Sequence, residues 1–383
     1  MPTLEDLKEA VDHGVINAEQ FAKLQKFQNQ KRGQISLQAA DEAPRFFRSF
    51  NDIFIGIGVI VFAIALMTLV FKLEAGPIGF GIAAVLIWLM AEWLTGYLKI
   101  NFPSILLVSF FTLFCVLAFH LFVFDEVFPK GMMDPSFGLG NYYIGLSLVT
   151  VAAAGLFFFR FQLPFSLFII AMALAYFISF ILLSWLLPDM KDWDKLSSTM
   201  IVINLISFCV ALALFFAAMW FDMKDPLRVG RYSDNGFWLH LAAGPMLASS
   251  SIYVLMTPFI MNTMDKVSIS VNKGFWGNFS GAFDAFVIIS FLVFVVLSVV
   301  SLIIDRRAML ISSIIAVGMS IGYIMAELNL DASIVLAVSL LLVSGIILFL
   351  GVGWHRLRSA LFKQLPSYKI FQKLPPLINE PTD

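Results

Sequence analysis

Between residues 53 and 354, runs of about 18 to 25 apolar residues alternate with short polar segments. A helix rises about 1.5 Å per residue, so a run of that length matches the roughly 30 Å hydrocarbon core of a bilayer. The pattern therefore predicts an all-α, polytopic membrane protein with about ten spans. The predicted spans are Ile53–Phe71, Ile78–Leu98, Ser104–Phe124, Tyr142–Phe159, Phe165–Leu187, Thr199–Phe221, Phe237–Met261, Ala282–Ile304, Ala308–Met325 and Ile334–Trp354.

Positive charge gives these spans a predicted direction. If the N-terminus lies inside, 19 of the 25 Lys and Arg residues fall on inner segments and 6 on outer loops. The terminal segments cause most of this difference, since the loops alone carry 7 against 6, but the inner loops are shorter. The positive-inside rule then predicts that both termini are cytoplasmic. An aromatic belt is predicted from Trp93, Trp220, Trp238 and Trp354 near the inner interface and Trp185 near the outer one.

Composition limits both the class of protein and its partners. Hydrophobic residues make up 60% of the 383 and charged residues 13%, against about 25% charged residues in soluble domains. The lipid bilayer is therefore the expected partner. The formal net charge of −1 gives no reason to expect nucleic acid. Cys115 and Cys209 each lie within an apolar run, and no disulfide framework, metal site or cofactor is predicted.

The two ends of the chain differ from the spans. Residues 1–48 are predicted to form a cytoplasmic amphipathic helical hairpin with a turn at Gly14, followed by a linker. So small a module has little core of its own, so its apolar faces are expected to meet a cytoplasmic protein, a second copy, the membrane domain or the bilayer. Residues 49–354 are the predicted transmembrane domain. Residues 355–383 are predicted to form a basic tail on the membrane surface.

Polar side chains inside a span are costly and mark candidate sites. Glu92 lies about 9 Å from the inner end of the second span. It is either a carboxylate that couples transport to protons or cations, or a packed, hydrogen-bonded Glu. His240 lies one turn into the seventh span on the same side, where Arg160 and Asn235 are placed to reach the same depth. Glu92 and His240 would form a titratable pair, unless His240 is an interfacial side chain that reaches the headgroups.

The seventh span also contains Pro245 near its middle, preceded by Gly244 and followed by Ser249 and Ser250. A proline at that depth frees backbone carbonyls, which nearby serines are able to satisfy. The segment is therefore a candidate broken helix that lines a cavity, and the alternative is a structural kink.

Two further sets of residues complete the candidates. His120, Asn204 and Asp284 lie toward the predicted outer side, where they form either a shared vestibule or ordinary polarity at helix ends. Gly318 and Gly322 have the spacing of a small-xxx-small pair. That pattern predicts close helix packing, either within the fold or between the protomers of a homo-oligomer.

The sequence lacks the motifs of several common enzyme classes. It has no phosphate-binding loop of the P-loop type, no His-Glu-x-x-His zinc motif and no Gly-x-Ser-x-Gly elbow. The four histidines are scattered at positions 13, 120, 240 and 355. An enzyme is therefore disfavoured.

Three stretches resemble a known group of membrane proteins. They are Gly14–Gln20 in the hairpin, Phe237–Pro245 in the seventh span, and Gly353–Arg358 with Leu365 and Pro366 soon after. Together they resemble the bacterial predicted membrane proteins grouped as domain of unknown function 2157. The resemblance implies a bacterial inner-membrane location and no known activity, and it provides no functional residues to transfer.

Two functional hypotheses follow. The first is a transporter or permease for a small solute or ion, with Glu92 as the coupling group and the helix of Pro245 along the path. The second is a membrane sensor or scaffold whose hairpin and tail recruit cytoplasmic partners. A polar cavity that reaches Glu92 and Pro245 would favour the first hypothesis, and a tightly packed bundle without a cavity would favour the second.

Overall fold

The computed structural model describes residues 50–124, 138–186, 196–225, 231–267, 280–327 and 331–364. Within these ranges ten helices are long and apolar enough to cross a membrane, which confirms the predicted all-α polytopic class. They are α1 Phe50–Lys72, α2 Gly76–Ala91, α3 Asn101–Phe122, α4 Gly138–Phe161, α5 Pro164–Leu186, α6 Leu196–Lys224, α7 Arg231–Val267, α8 Ser280–Ile304, α9 Ile311–Glu327 and α10 Ala332–Gln364. A π-helical turn, Glu92–Tyr97, extends α2, and a 3₁₀ turn, Arg307–Leu310, precedes α9. The predicted hairpin lies outside the described residues.

The helices pack around two main cores. Residues of α1 to α4 form the first core, in which Ile87, Leu107, Phe114 and Phe157 are fully buried. In the second half, α7 is the central helix, because it packs against α5, α6, α8 and α9. In the membrane-spanning part of α7, 56% of the residues are buried in the fold, against 6% in that of α10. The helix that carries His240 and Pro245 therefore lies inside the bundle.

Even-numbered helices end on the side of the bundle where α1 begins, and we call this side the N-terminal face. Three turns on this face contain a residue in the left-handed backbone conformation, namely Lys99 (φ 53°), Gln162 (φ 53°) and Asp305 (φ 58°). Glycine is the usual residue at such a helix end, because it lacks a Cβ. None of these three turns carries that glycine signal, so the sequence pattern leaves the helix ends poorly defined.

The last helix does not end at the predicted domain boundary. Instead, α10 continues past Trp354 to Gln364. Trp354 and Arg358 are each only 1% exposed. The predictions that Trp354 belongs to an interfacial belt and that Arg358 lies on the membrane surface are therefore wrong, because contacts within the fold hold both side chains. By contrast, Trp93 and Trp185 are 62% and 79% exposed.

Glycines bring several backbones close together. A Cβ at Gly244 would lie 2.9 Å from the Cα of Met309, so this glycine lets α7 approach the 3₁₀ turn before α9. A Cβ at Gly318 would lie 3.3 Å from Val343, and one at Gly322 would lie 4.0 Å from Ser339. Both of these positions face α10 of the same chain, which leaves a homo-oligomer through Gly318 and Gly322 without structural support.

Candidate functional site

A cavity of about 320 Å³ lies between α5, α6 and α7. Along α5, Ser179 lies roughly 22 Å from Pro164 at 1.5 Å per residue, so the cavity belongs to the half of the bundle opposite the N-terminal face. Its polar lining consists of Tyr176, Ser179, Asn204, Ser207, Ser249, Ser250 and Tyr253. Its apolar lining consists of Ala175, Phe180, Ile203, Ile206 and Met246. The structure thus brings together three of the predicted site residues, Asn204, Ser249 and Ser250.

The helix beside this cavity is continuous. Pro245 and Pro258 both lie inside α7, which runs without a break from Arg231 to Val267. Ser249 donates a hydrogen bond to the carbonyl of Pro245 at 2.8 Å, and Ser250 donates to that of Met246 at 2.5 Å. Each serine therefore bonds a carbonyl one turn back, a common pattern for this residue type in helices. Of the two alternatives for Pro245, the broken helix is therefore wrong, since the proline lies inside a continuous helix.

Asn204 links α6 to α7 at the cavity. Its amide Nδ2 donates to the hydroxyl of Thr257 at 3.2 Å. Thr257 in turn donates to the carbonyl of Tyr253 at 2.7 Å. This chain of bonds orients the Asn204 side chain and leaves its carbonyl oxygen available as an acceptor.

A buried charge network lies on the same two helices at the N-terminal face. Arg306 donates two hydrogen bonds to Asp222, from Nη2 at 2.6 Å and from Nε at 3.0 Å. Nε2 of His240 lies 2.9 Å from Oδ2 of Asp222, the oxygen that also accepts from Nε of Arg306. Arg306 also donates to the carbonyl and the hydroxyl of Ser233, both at 3.1 Å. These four side chains are at most 5% exposed, so the network joins α6, α7 and the α8–α9 turn.

A second cluster, which we call the anchor cluster, begins at the neighbouring residue. Asp305 accepts a hydrogen bond from the indole Nε1 of Trp354 at 2.7 Å. Its other oxygen lies 3.7 Å from Nη1 of Arg358. Arg358 Nε also donates to the carbonyl of Leu302 at 3.2 Å. These contacts attach α10 to the end of α8.

The turn that holds both clusters is a helix-ending motif of the Schellman type. The N–H of Arg306 donates to the carbonyl of Ser301 at 3.0 Å, across the left-handed Asp305. The hydroxyl of Ser301 donates to the carbonyl of Arg306. The reversal of the chain at Asp305 directs adjacent side chains into different clusters, Asp305 toward α10 and Arg306 toward α6 and α7.

Glu92 has a different environment from the one predicted. Its two carboxylate oxygens accept hydrogen bonds from Nε and Nη2 of Arg160, at 2.9 and 2.7 Å. This pair joins the π-helical turn to the end of α4, with side-chain exposures of 34% and 57%. The structure therefore pairs Glu92 with Arg160 and His240 with Asp222. The predicted titratable pair of Glu92 and His240 is not formed, because the two side chains belong to different groups of helices.

Replacement of Glu92 by Gln is expected to lower the free energy of unfolding by at most about 1 kcal/mol, since partly exposed ion pairs contribute about that much. The measurement is chemical unfolding in detergent micelles, followed by far-ultraviolet circular dichroism. A double-mutant cycle with Arg160→Gln isolates the coupling between the two side chains. A coupling free energy well above that value would show that the membrane interface excludes water from the pair.

His120 and Asp284 lie apart from the cavity. Nδ1 of His120 lies 2.5 Å from the hydroxyl of Tyr142, which joins α3 to α4. Asp284 is exposed, just after the first turn of α8, which packs against α7, α9 and α10. Of the three residues of the predicted vestibule, only Asn204 lines the cavity.

The sequence interpretation missed the charge network apart from His240. The sequence pattern does not single out Asp222, and Arg306 enters the interpretation only as one of the positive charges of an inner loop. Asp222 follows directly on an apolar run, and Arg306 comes one residue after the end of another. That position is the one local signal that the two residues possess. Tyr176 and Tyr253 of the cavity were also missed, because a tyrosine within a span is usually a packing or interfacial residue.

The described residues contain no group of three or more His, Cys, Asp or Glu side chains able to hold a metal ion. The candidate site consists of the cavity and of the charge network at the N-terminal face. No family model, curated protein or solved structure matches the chain, so the resemblance to domain of unknown function 2157 stays a prediction.

Proposed function

We propose that the protein is a transporter whose substrate site is the cavity between α5, α6 and α7. The polar lining of this cavity within an apolar bundle is the observation that carries the proposal. Polar groups inside a membrane domain are costly, and seven polar side chains converge here from three helices. A scaffold would need no such cavity. The described lining includes neither Glu92 nor Pro245, so the proposed site differs from the path predicted from the sequence.

The region between the cavity and the N-terminal face supports the proposal. Four small residues of α6 and α7 are fully buried there, and these two helices pack closely along their length. They are Ala211, Ala218, Ala242 and Ala243. The charge network lies beyond them, roughly 15 Å from Ser250 along α7 at 1.5 Å per residue. These alanines and the charge network thus close the cavity toward the N-terminal face. A movement of α6 relative to α7 would separate them and open the cavity to that face.

The substrate class follows from the lining. None of the described lining residues carries a charge, and their hydroxyl and amide groups both donate and accept hydrogen bonds. An ion would lose its hydration without a compensating partner. The substrate is therefore uncharged and forms hydrogen bonds. Glu92 has no coupling role in this proposal, because Arg160 occupies both of its oxygens.

The proposed location is the inner membrane of a bacterium, with the N-terminal face in the cytoplasm. The excess of Lys and Arg on the segments that flank this face supports the orientation. The location rests on the resemblance to bacterial membrane proteins. A reporter fused after Lys31 or Pro366 is expected to read as cytoplasmic, and a periplasmic reading at either site would contradict the orientation.

Thiol labelling tests the transporter. Cys115 and Cys209 are first replaced by Ala, and Ser249→Cys then places a single thiol in the cavity. A transporter opens its site to each side in turn, so a membrane-impermeant reagent is expected to label this thiol from both sides of sealed vesicles.

Two control variants accompany this experiment. Ser320→Cys is fully buried in α9, and Leu292→Cys lies on an exposed apolar surface of α8, so both are expected to stay unlabelled. Labelling of Ser249→Cys from one side only, or from neither side, would contradict the transporter.

A further inference from the structure

The cavity is open on its flank. Tyr176 of α5 and Tyr253 of α7 line it and are each 55% exposed. Ser249, one helical turn before Tyr253 on α7, is also exposed. Because Tyr176 and Tyr253 lie within two of the helices that are long and apolar enough to cross a membrane, we expect this flank to face the acyl chains of the bilayer. A molecule dissolved in the bilayer therefore reaches the polar lining without crossing either membrane face.

The polar lining has a definite hydrogen-bonding character. The hydroxyls of Ser207, Ser249 and Ser250 donate to carbonyls of their own helices, which leaves their oxygen lone pairs as acceptors. The amide N–H of Asn204 donates to Thr257, and the amide oxygen of Asn204 is available as an acceptor. These groups match the hydroxyl protons of a ligand.

The remainder of the lining matches an apolar chain. Phe180, Ile203, Ile206 and Met246 supply most of the apolar part of the lining. Phe180 is held in position by stacking on Tyr143 of α4, with ring centroids 5.0 Å apart and an interplanar angle of 8°. A ligand that fills the cavity thus needs a hydroxylated end and an apolar body.

On the basis of the proposed function, we propose that the substrate is a neutral lipid alcohol that enters the cavity sideways from the bilayer. Its hydroxyl head group lies against Asn204, Ser249 and Ser250, and its chain leaves between Tyr176 and Tyr253. A lipid with a phosphate head is excluded, because no cationic side chain is among the described lining residues. Monoacylglycerols and prenols share this chemistry.

Photocrosslinking with a monoacylglycerol that carries a diazirine in its acyl chain tests this substrate class. The full-length protein in phosphatidylcholine nanodiscs is expected to crosslink at the peptides that contain Tyr176 and Tyr253. Excess unlabelled monoacylglycerol or farnesol should reduce this crosslinking, and the stronger competitor identifies the source. Glycerol should not compete, since it lacks the apolar chain.

The double variant Asn204→Leu with Ser249→Leu removes polar groups from the cavity. It is expected to reduce specific crosslinking about tenfold or more, since each lost hydrogen bond weakens binding roughly fivefold to tenfold. Crosslinking at the exposed Leu348 of α10, which reports ordinary lipid contact, should not change. Circular dichroism and the Leu348 signal together distinguish this loss from misfolding.

A phosphatidylglycerol with the same diazirine is the matched anionic probe. Equal crosslinking of the cavity peptides by this probe, effective competition by glycerol, or full crosslinking of the double variant would each overturn the proposed substrate class. Ser249→Cys labelling in sealed phosphatidylcholine vesicles, which keep the two membrane faces separate, distinguishes the two proposals. Labelling from both sides without neutral-lipid selectivity retains the transporter and overturns the lipid alcohol. Neutral-lipid selectivity with labelling from one side only retains the lipid alcohol as the ligand of the cavity and overturns the transporter.

Discussion

Replacement of Arg306 by Met is expected to lower the free energy of unfolding by about 3–5 kcal/mol, the usual cost of breaking a buried ion pair by removing one partner. Asp222 is 3% exposed, and the variant leaves its carboxylate without the two hydrogen bonds from Arg306. Most of the loss therefore comes from a buried negative charge that has lost its cation. Chemical unfolding in detergent, followed by circular dichroism, measures it.

Two companion variants make this result specific. Asp222→Asn combined with Arg306→Met removes both charges, so it should recover a large part of the loss. Arg160→Met breaks the partly exposed pair with Glu92 and should cost about 1 kcal/mol or less. If Arg306→Met costs no more than Arg160→Met, the network does not hold α6 and α7 together.

Replacement of Trp354 by Ala is expected to cost about 3–5 kcal/mol, since it empties the space of a large buried aromatic side chain. Trp354 also donates its indole N–H to Asp305 at 2.7 Å. The substitution therefore leaves a cavity between α8 and α10 and an acceptor oxygen without its donor. Trp354→Phe keeps most of the ring, and we expect it to lose only about 1–2 kcal/mol.

Trp185→Ala is the matched control for this prediction, because Trp185 is 79% exposed. A belt position for Trp354, as the sequence suggested, predicts similar small losses for both alanine variants. The structure instead predicts a large difference between them. Equal losses in the free energy of unfolding would instead support a position of Trp354 at the membrane interface.

The class of the fold was accessible from the sequence because bilayer thickness sets the length of each apolar run. All ten predicted spans correspond to helices. The ends of the helices were less accessible. Nothing near Trp354 signals that its side chain is buried, since the cause is its contact with Asp305, 49 residues earlier in the chain. Local patterns do not record such tertiary contacts.

The candidate site was accessible in part for a similar reason. Asn204, Ser249 and Ser250 attracted attention because each is polar within an apolar run. That Asn204 and Ser249 share one cavity depends on the packing of α6 against α7, which sequence spacing does not reveal. The partnership of Asp222 and Arg306 spans 84 residues. Glu92 was prominent for its depth alone, and its partner Arg160 lies 68 residues away.

The adjacency of Asp305 and Arg306 makes the turn after α8 sensitive to chain length. Gain of one residue before this turn would present the carboxylate of Asp305 to Asp222, and loss of one would present the guanidinium of Arg306 to Arg358. Either change would bring two like charges together in one of the buried clusters. Substitutions in the apolar runs carry no such constraint. We therefore expect relatives of this chain to retain three features together: an Asp at the end of the sixth span, Asp-Arg at the end of the eighth and Trp-x-x-x-Arg in the tenth.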